Sequence, residues 1–334
     1  GGEVRMGEAA AAPLRPGQAV AIATGGMLPP GADAVAMLEY AEELQGAALL
    51  IHRPVAPGEN VLKAGEDLAV GRPVVPAGRR LGPAAIGLLA AAGFTQVQVR
   101  RRPRVAVIST GDELVPPRQV PLLGQVRDAN GPALAAAVAE TGGEPRLEGI
   151  VGDEPGALAR ALRSLLDEGW ADLVLVSGGS SVGHRDETLA AIRGFPPGVL
   201  VHGVALKPGK PTILGRAGDV PVVGLPGHPV SALVVFDVFV RPLIRGMLGL
   251  TPVAPIRPQV QAILARNVPS AAGREEHVRV RLETADGRLV AHPLFGKSGA
   301  LHTLAAADGV LVVPEGREGL PQGESVPVYV SPEG

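Results

Sequence analysis

The chain of 334 residues exceeds one ordinary hydrophobic core, and its 31 basic against 33 acidic residues leave a net charge of −2, with no field to gather a polyanion or a membrane surface. Aromatic residues make up 2% of the total, which argues against nucleic-acid binding by base stacking. There is no cysteine, so disulfides, thiolate metal sites and a cysteine nucleophile are excluded, in keeping with a reducing cytoplasm.

No apolar run reaches the ~18 residues that a membrane span needs. Even Val230 to Ile244 is broken by Asp237 and Arg241. The chain opens Gly1-Gly2 without a methionine, and a preceding N-terminal portion is expected. Residues 1–80 are dense in Gly and Pro, with short apolar stretches at Ala19 to Ile22 and Ala34 to Met37, and read as a small β domain. Leu81 to Gly93 carries Pro83 near its start and Gly93 at its end, which predicts a helix in a linker region over 81–100.

From Arg104 strands alternate with helices: Val105 to Ser109, Pro132 to Glu140, Leu147 to Val151, Glu154 to Glu168, then Asp172 to Ser177. This predicts a parallel sheet flanked by helices over 101–250. Val199 to Leu206 and Val220 to Leu225 add strands, and Pro229 to Leu248 one long closing helix. Over 251–334 strand patterns return, clearest where Val278, Val280 and Leu282 alternate with Arg279, Arg281 and Glu283, and predict a C-terminal β domain.

Ligands of open parallel sheets bind beyond the carboxyl ends of the strands. Four polar or Gly-rich loops are expected at such ends: Thr110 to Glu113, Ser177 to Gly183, Lys207 to Pro211, and Gly224 to Ser231. In the second, Gly178, Gly179, Ser180, Ser181 and Gly183 would let backbone N–H groups converge on an anion beside a helix N-terminus, and phosphate is the natural guest. The same stretch satisfies G-x-S-x-G, which admits a serine nucleophile at Ser181 followed by Asp186 and His228.

Only four lysines occur against 27 arginines, and Lys207 and Lys210 share one pentapeptide. A solvated turn gives no reason to escape the arginine bias, whereas a compact ammonium acting on an oxyanion does. Pro211 stands where a Walker A loop has Ser or Thr, so a metal must be held otherwise. Asp67, Asp112, Glu113, Asp128, Asp153 and Asp186 are the candidate carboxylate ligands for Mg²⁺, with an N-cap of the following helix as the alternative for Asp153.

These motifs, together with ATGGMLPPGADAV at Ala23 to Val35, PGENVLKAGEDL at Pro57 to Leu68, VRDAN at Val126 to Asn130 and LHTLAAADGVLVVPEG near the end, closely resemble the MoeA family of molybdopterin molybdenumtransferases and the E domain of gephyrin. The resemblance implies a central α/β domain like that of MogA and MoaB, flanked by an N-terminal β domain with its linker helix and by a C-terminal β-barrel-like domain. It also implies insertion of molybdate into adenylylated molybdopterin, with Mg²⁺-dependent cleavage and release of AMP. Matched motif by motif, the catalytic residues would be Asp67, Glu113, Asp153, Asp186 and Lys207, with Asp186, Glu113 and Asp67 on the metal. Thr24, the glycines and serines at 178–183, Lys210, Pro226, Pro229 and Ser231 would bind the substrates. A homodimer with composite sites and contact with molybdopterin adenylyltransferase are further implications, with no nucleic-acid or membrane partner. His184, His228 and Gly203 depart from common family residues, which leaves a tungstate-inserting paralogue open; a non-catalytic scaffold like gephyrin would not need the carboxylates and lysines together.

Overall fold

The computed structural model describes residues 2–10, 12–45, 48–178, 187–253 and 258–330. It divides into two compact units, one of residues 1–76 and 81–96, the other of 77–80 and 97–334.

In the first unit β1 (Glu3–Val4) pairs in parallel with β2 (Ala21–Ile22), β3 (Ala41–Leu44) and β4 (Ala48–Ile51) form a hairpin, and α1 (Pro83–Ala91) follows. Pro83 opens α1, where its missing N–H costs nothing. Ala34 to Met37 are irregular rather than extended in a sheet. There Val35 donates its N–H to the Glu59 carbonyl at 3.0 Å and accepts the Asn60 side-chain amide at 2.8 Å, so the loop satisfies both backbone groups. None of the α1 side chains is buried, and Ile86 is 57% exposed.

The second unit opens with β5 (Arg104–Thr110), β6 (Leu114–Val115), β7 (Val126–Arg127), α2 (Asn130–Thr141), β8 (Glu144–Val151), α3 (Ala157–Glu168), β9 (Leu173–Ser177) and α4 (Glu187–Arg193). Next come β10 (Pro197–His202), β11 (Leu206–Lys207), β12 (Ile213–Ala217), β13 (Val220–Leu225), α5 (Pro229–Val235) and α6 (Arg241–Met247). The main sheet has the order β10-β12-β13-β9-β5-β8. β13, β9, β5 and β8 run parallel, as expected, but β12 is antiparallel to both of its neighbours, so the sheet is mixed at one edge. The expected strand from Val199 to Leu206 ends at His202 because Gly203, at φ 84°, turns the chain, and Leu206–Lys207 pairs elsewhere.

Both faces of the sheet are covered. Val105, Val107, Leu173 and Leu175 pack with α2 and α5, while Ala106, Ile108, Val174 and Val176 pack with α3 and α4. This is why these strands read as continuous apolar runs. Between α5 and α6 the expected long helix takes a π turn at Phe236–Val240. Pro242, two residues on, cannot donate to the preceding turn, and the wider turn accommodates it.

Trp170 ends the α3 turn, its ring faced by the guanidinium carbons of Arg146 at 4.1 Å and Arg104 at 5.9 Å. Arg146 also forks onto Glu168, with both contacts at 2.7 Å. Nearby, Arg101 grips Asp172 at 2.5 and 2.6 Å, and Arg104 donates its backbone N–H to the same carboxylate at 2.7 Å.

The rest of the second unit contains β14 (Gln259–Leu264), β15 (Val268–Pro269), β16 (Glu275–Ala285), β17 (Arg288–Pro293), α7 (His302–Ala305), β18 (Gly309–Val313), β19 (Gly319–Leu320) and β20 (Ser325–Val330). β16, β17, β14, β20 and β18 close into a five-stranded barrel through the β16–β18 pairing. Ala262, Leu264, Val278, Val280, Leu311 and Val328 fill it. β11 joins the outside of this barrel beside the first residues of β16.

Candidate functional site

The carboxyl ends of β5, β9 and β13 are level: Ser109 pairs with Ser177, and Ser177 with Leu225. Three of the four expected loops leave from this edge. The fourth, Lys207 to Pro211, does not follow a strand of this sheet; it leads into β12, whose first residue Ile213 lies beside Gly224. Because β12 is antiparallel, its amino end falls where the other strands finish, and the lysine loop arrives at the same edge from the opposite direction.

Side chains and backbone tie these loops together. The Asn130 amide, at the start of α2, donates to Ser177 Oγ at 2.7 Å and to the Gly227 carbonyl at 2.8 Å. Gly178 donates its N–H to Leu225 at 3.2 Å and accepts the Thr188 hydroxyl at 3.1 Å. Its φ is 112°, and a Cβ there would run into the Thr110 carbonyl, so this position admits only glycine. Asp128 is buried, with one oxygen accepting the Ser109 hydroxyl at 2.8 Å and the other the Gly131 N–H at 2.9 Å. It anchors α2 under the β5 end rather than facing a ligand.

Asp112, Glu113 and Asp153 gather at the β5 loop. Asp153 donates its N–H to Asp112 Oδ1 at 2.9 Å, and its carboxylate lies 3.4 Å from both the Thr110 hydroxyl and the Asp112 N–H. It does not cap the following helix, which begins after Gly156 with no side-chain cap. The Glu113 carboxylate folds over Gly111, where a Cβ would lie 2.6 Å from Oε2. Among the described residues no three Asp, Glu or His side chains surround one ion position. Asp112, Glu113 and Asp153 offer the hard oxygen donors that Mg²⁺ prefers. They do not form a closed set.

Lys207 and Lys210 have different surroundings. The Lys207 ammonium lies 2.9 Å from the Glu276 carboxylate of β16, which also accepts the Ser270 hydroxyl at 2.6 Å. Lys210 is exposed and has no side-chain partner among the described residues. Between them Gly209 is buried at φ 134° and its carbonyl accepts the Thr212 hydroxyl at 2.6 Å, which fixes the turn. In the β13 loop Pro226 is buried, Pro229 opens α5 and Ser231 is buried in its first turn. The Val230 N–H donates to the Ser298 carbonyl at 3.1 Å, so the barrel's Phe295–Ala300 segment seals that helix end.

Thr24 and Asp67 stand on exposed turns of the first unit, Asp67 directly after an open depression lined by Gly58, Val61, Lys63, Ala64, Gly65 and Glu66. Gly179, Ser180, Ser181, Gly183, His184 and Asp186 lie outside the described residues. Sequence reasoning passed over Asn130 and Glu276 as site residues. VRDAN held the first in plain view, whereas nothing in the sequence paired Glu276 with Lys207.

The chain is similar to known proteins along most of its length. Residues 2–93 match the model of the MoeA N-terminal region (domain I and II), 106–246 a probable molybdopterin binding domain, and 261–331 the MoeA C-terminal region (domain IV). Molybdopterin molybdenumtransferase 2 of Mycobacterium tuberculosis is 36% identical over 94% of this chain and 77% of its own length. The molybdopterin molybdenumtransferase of a Nostoc species is also 36% identical, over 96% of this chain and 73% of its own. The crystal structure of a molybdopterin biosynthesis MoeA protein from Pyrococcus horikoshii superposes with a TM-score of 0.81 at 31% identity, covering 99% of this chain and 80% of that one.

Proposed function

Because the chain belongs to the MoeA family of molybdopterin molybdenumtransferases, we propose that it inserts molybdate into adenylylated molybdopterin and releases AMP, a transferase step of molybdenum cofactor biosynthesis. The observation that carries this reading is the convergence of the β5, β9 and β13 strand ends and the lysine loop at one sheet edge, where Asn130 ties Ser177 to Gly227 and Gly178 lies against Thr110. Such an edge holds a phosphorylated ligand by backbone N–H groups, while Lys207 and Lys210 supply compact positive charge for an oxyanion. Asp112, Glu113 and Asp153 give the same edge a carboxylate side, and Pro226, Pro229 and Ser231 shape the wall from which α5 starts.

Bound Mg²⁺ would neutralise charge on the pyrophosphate link during cleavage. Within the second unit Glu113 and Asp186 are its proposed ligands, and chelation with EDTA should abolish turnover until Mg²⁺ is returned. The reaction is tested by AMP release from adenylylated molybdopterin with and without molybdate; no molybdate-dependent release would refute it. Equimolar molybdate and tungstate, followed by metal analysis of the product, decides between the two oxyanions.

A homodimer is the proposed assembly, supported by α1, whose Pro, Ala, Ile, Gly and Leu residues are apolar on every side and leave none buried. A helix of that composition normally lies inside a protein. Light scattering on the purified chain checks the mass. Contact with molybdopterin adenylyltransferase, which makes the adenylylated substrate, is tested by co-purification. No helix among the described residues is long and apolar enough to cross a membrane. We place the reaction in the cytoplasm, in keeping with the biosynthetic enzymes that the chain resembles.

A further inference from the structure

The joint between the β9 and β13 loops is held from both faces of the sheet. On the face covered by α2 and α5, the Asn130 amide bridges Ser177 Oγ at 2.7 Å and the Gly227 carbonyl at 2.8 Å. On the face covered by α3 and α4, Thr188 reaches the same joint. It is fully buried, and its hydroxyl donates to the Gly178 carbonyl at 3.1 Å. Gly178 in turn donates its N–H to the Leu225 carbonyl at 3.2 Å. A Cβ on Gly227 would stand 3.6 Å from the Gly178 Cα, so the two loops are in direct contact.

Thr188 is shaped for this position. It is the second residue of α4, and helix side chains lean toward the helix N-terminus, so its hydroxyl can leave the helix and meet the strand end. Two heavy atoms on its Cβ restrict χ1. The methyl rests at Gly224, where a Cβ would come within 3.0 Å of Thr188 Cγ2. One half of the side chain is thus keyed into β13 while the other holds the end of β9. Serine or valine could supply only one of these halves.

We propose that Thr188 is a positioning residue for the phosphorylated ligand. Its hydroxyl fixes the Gly178 carbonyl, and with it the plane of the peptide from which the loop of residues 178–183 departs. A cradle of backbone N–H groups binds well when its first peptide is set before the ligand arrives, because freedom lost on binding is subtracted from affinity. Asn130 secures the joint from one face of the sheet and Thr188 from the other. This inference rests on the reading of that loop as the phosphate cradle.

The test uses two variants of the full chain that divide the side chain: Thr188→Val keeps the methyl and removes the hydroxyl, and Thr188→Ser does the reverse. In the ligand-free protein, hydrogen exchange read by mass spectrometry should quicken at the Gly178 N–H in Thr188→Val and stay near wild type in Thr188→Ser. Calorimetric titration of adenylylated molybdopterin should show binding weakened about five- to tenfold in Thr188→Val, and held within about threefold of wild type in Thr188→Ser. Thr188→Ser should also lower the urea midpoint, through lost packing at Gly224, so that stability and affinity separate as they would not for a merely structural threonine. Unchanged exchange at Gly178 in Thr188→Val would show that the hydroxyl does not hold the joint. Quicker exchange with unchanged affinity, or equal weakening in both variants, would remove the positioning role while the site reading stands. If the wild-type chain does not bind adenylylated molybdopterin, the cradle reading falls and the role of Thr188 with it. Should Thr188→Val fail to fold, Thr188→Ala replaces it as the variant without a hydroxyl, and affinity there equal to that of Thr188→Ser overturns the proposal.

Discussion

The α/β domain and the first unit draw on the same aliphatic palette and use it in opposite ways. In the α/β domain two layers of Val, Leu, Ile and Ala close over both faces of the sheet, and Val105, Leu173, Leu175 and Leu225 are inaccessible to water. In the first unit, of the Ala, Val, Leu, Ile and Met side chains among the described residues, only Val4 is buried. Met27, Leu38, Leu62 and Ile86 are exposed there. The unit is held instead by turns and backbone bonds such as Leu14 to Pro30 at 2.8 Å and Gly58 to Asp33 at 2.7 Å. The difference teaches that one region carries its own stability, while the other presents apolar surface whose burial must come from elsewhere.

The sharpest way to break that comparison is one truncation made in each region. Leu175→Ala in β9 should cost about 2–5 kcal/mol of stability, read as a lower midpoint in urea. The same kind of change at Ile86 in α1 should move the midpoint of a dilute sample by less than about 0.5 kcal/mol, because an exposed side chain leaves no cavity. If assembly buries α1, its effect should surface as weaker self-association in sedimentation. Equal urea shifts for the two variants would refute the contrast.

Next in size is Gly178→Ala, which forces a methyl toward the Thr110 carbonyl at a backbone angle that glycine alone accepts. About 1–3 kcal/mol of strain is expected, released by separating the β5 and β9 loops. Turnover should therefore fall well before the fold does, with circular dichroism unchanged. Asn130→Ala follows, removing both links from α2 to Ser177 and Gly227 at about 0.5–1.5 kcal/mol each. Its signature would be a lower kcat at nearly unchanged stability of the barrel. A variant with wild-type kinetics would show that the loops hold themselves.

The smallest effect concerns pH. The Arg101 hydrogen bonds hold the Asp172 carboxyl below its ordinary value of 3.8, against the opposing effect of burial. A depressed carboxylate stabilises the fold above its unfolded pKa and loses that contribution as pH falls through the folded one. Asp172→Asn should thus cost about 0.5–1 kcal/mol at neutral pH, with Arg101 largely exposed and solvent-screened, and the deficit should begin to shrink as the pH drops below about 4 and be gone only once the pH is under the depressed folded pKa. A deficit constant down to pH 2 would exclude linkage through this group.

The sheet was legible where packing leaves a trace in side-chain type. Val105 to Ser109, Asp172 to Ser177 and Val220 to Leu225 are apolar on both faces because both faces are covered, and continuous runs betray that. β12 was missed because its middle reads Leu214-Gly215-Arg216. A Cβ at Gly215 would lie 2.6 Å from Ile192 and 2.9 Å from the Gly198 carbonyl, so close neighbours have removed the side chain that would have signalled a strand. In β16 the alternation correctly separated Val278 and Val280 from Arg279 and Arg281, yet Arg279 is buried and Arg281 exposed. Alternation distinguishes two faces of a strand and cannot say which outer face is dry. The same limit hid the Lys207–Glu276 pair, which joins residues 69 positions apart through the approach of β11 to the barrel.

The Trp170 setting has a practical consequence. It is the one tryptophan in the chain, and two guanidinium groups face its ring within the α/β domain. Excitation at 295 nm, roughly the red edge where indole alone absorbs, therefore illuminates one address in the molecule. Its emission should shift only when Arg146 and Arg104 leave the indole, and should ignore events in α1 or the barrel. Monitored together with far-ultraviolet dichroism, which sums all regions, this emission provides a built-in second channel. Coincident transitions would mean that the regions unfold as one, and separated transitions would time the α/β domain against the rest.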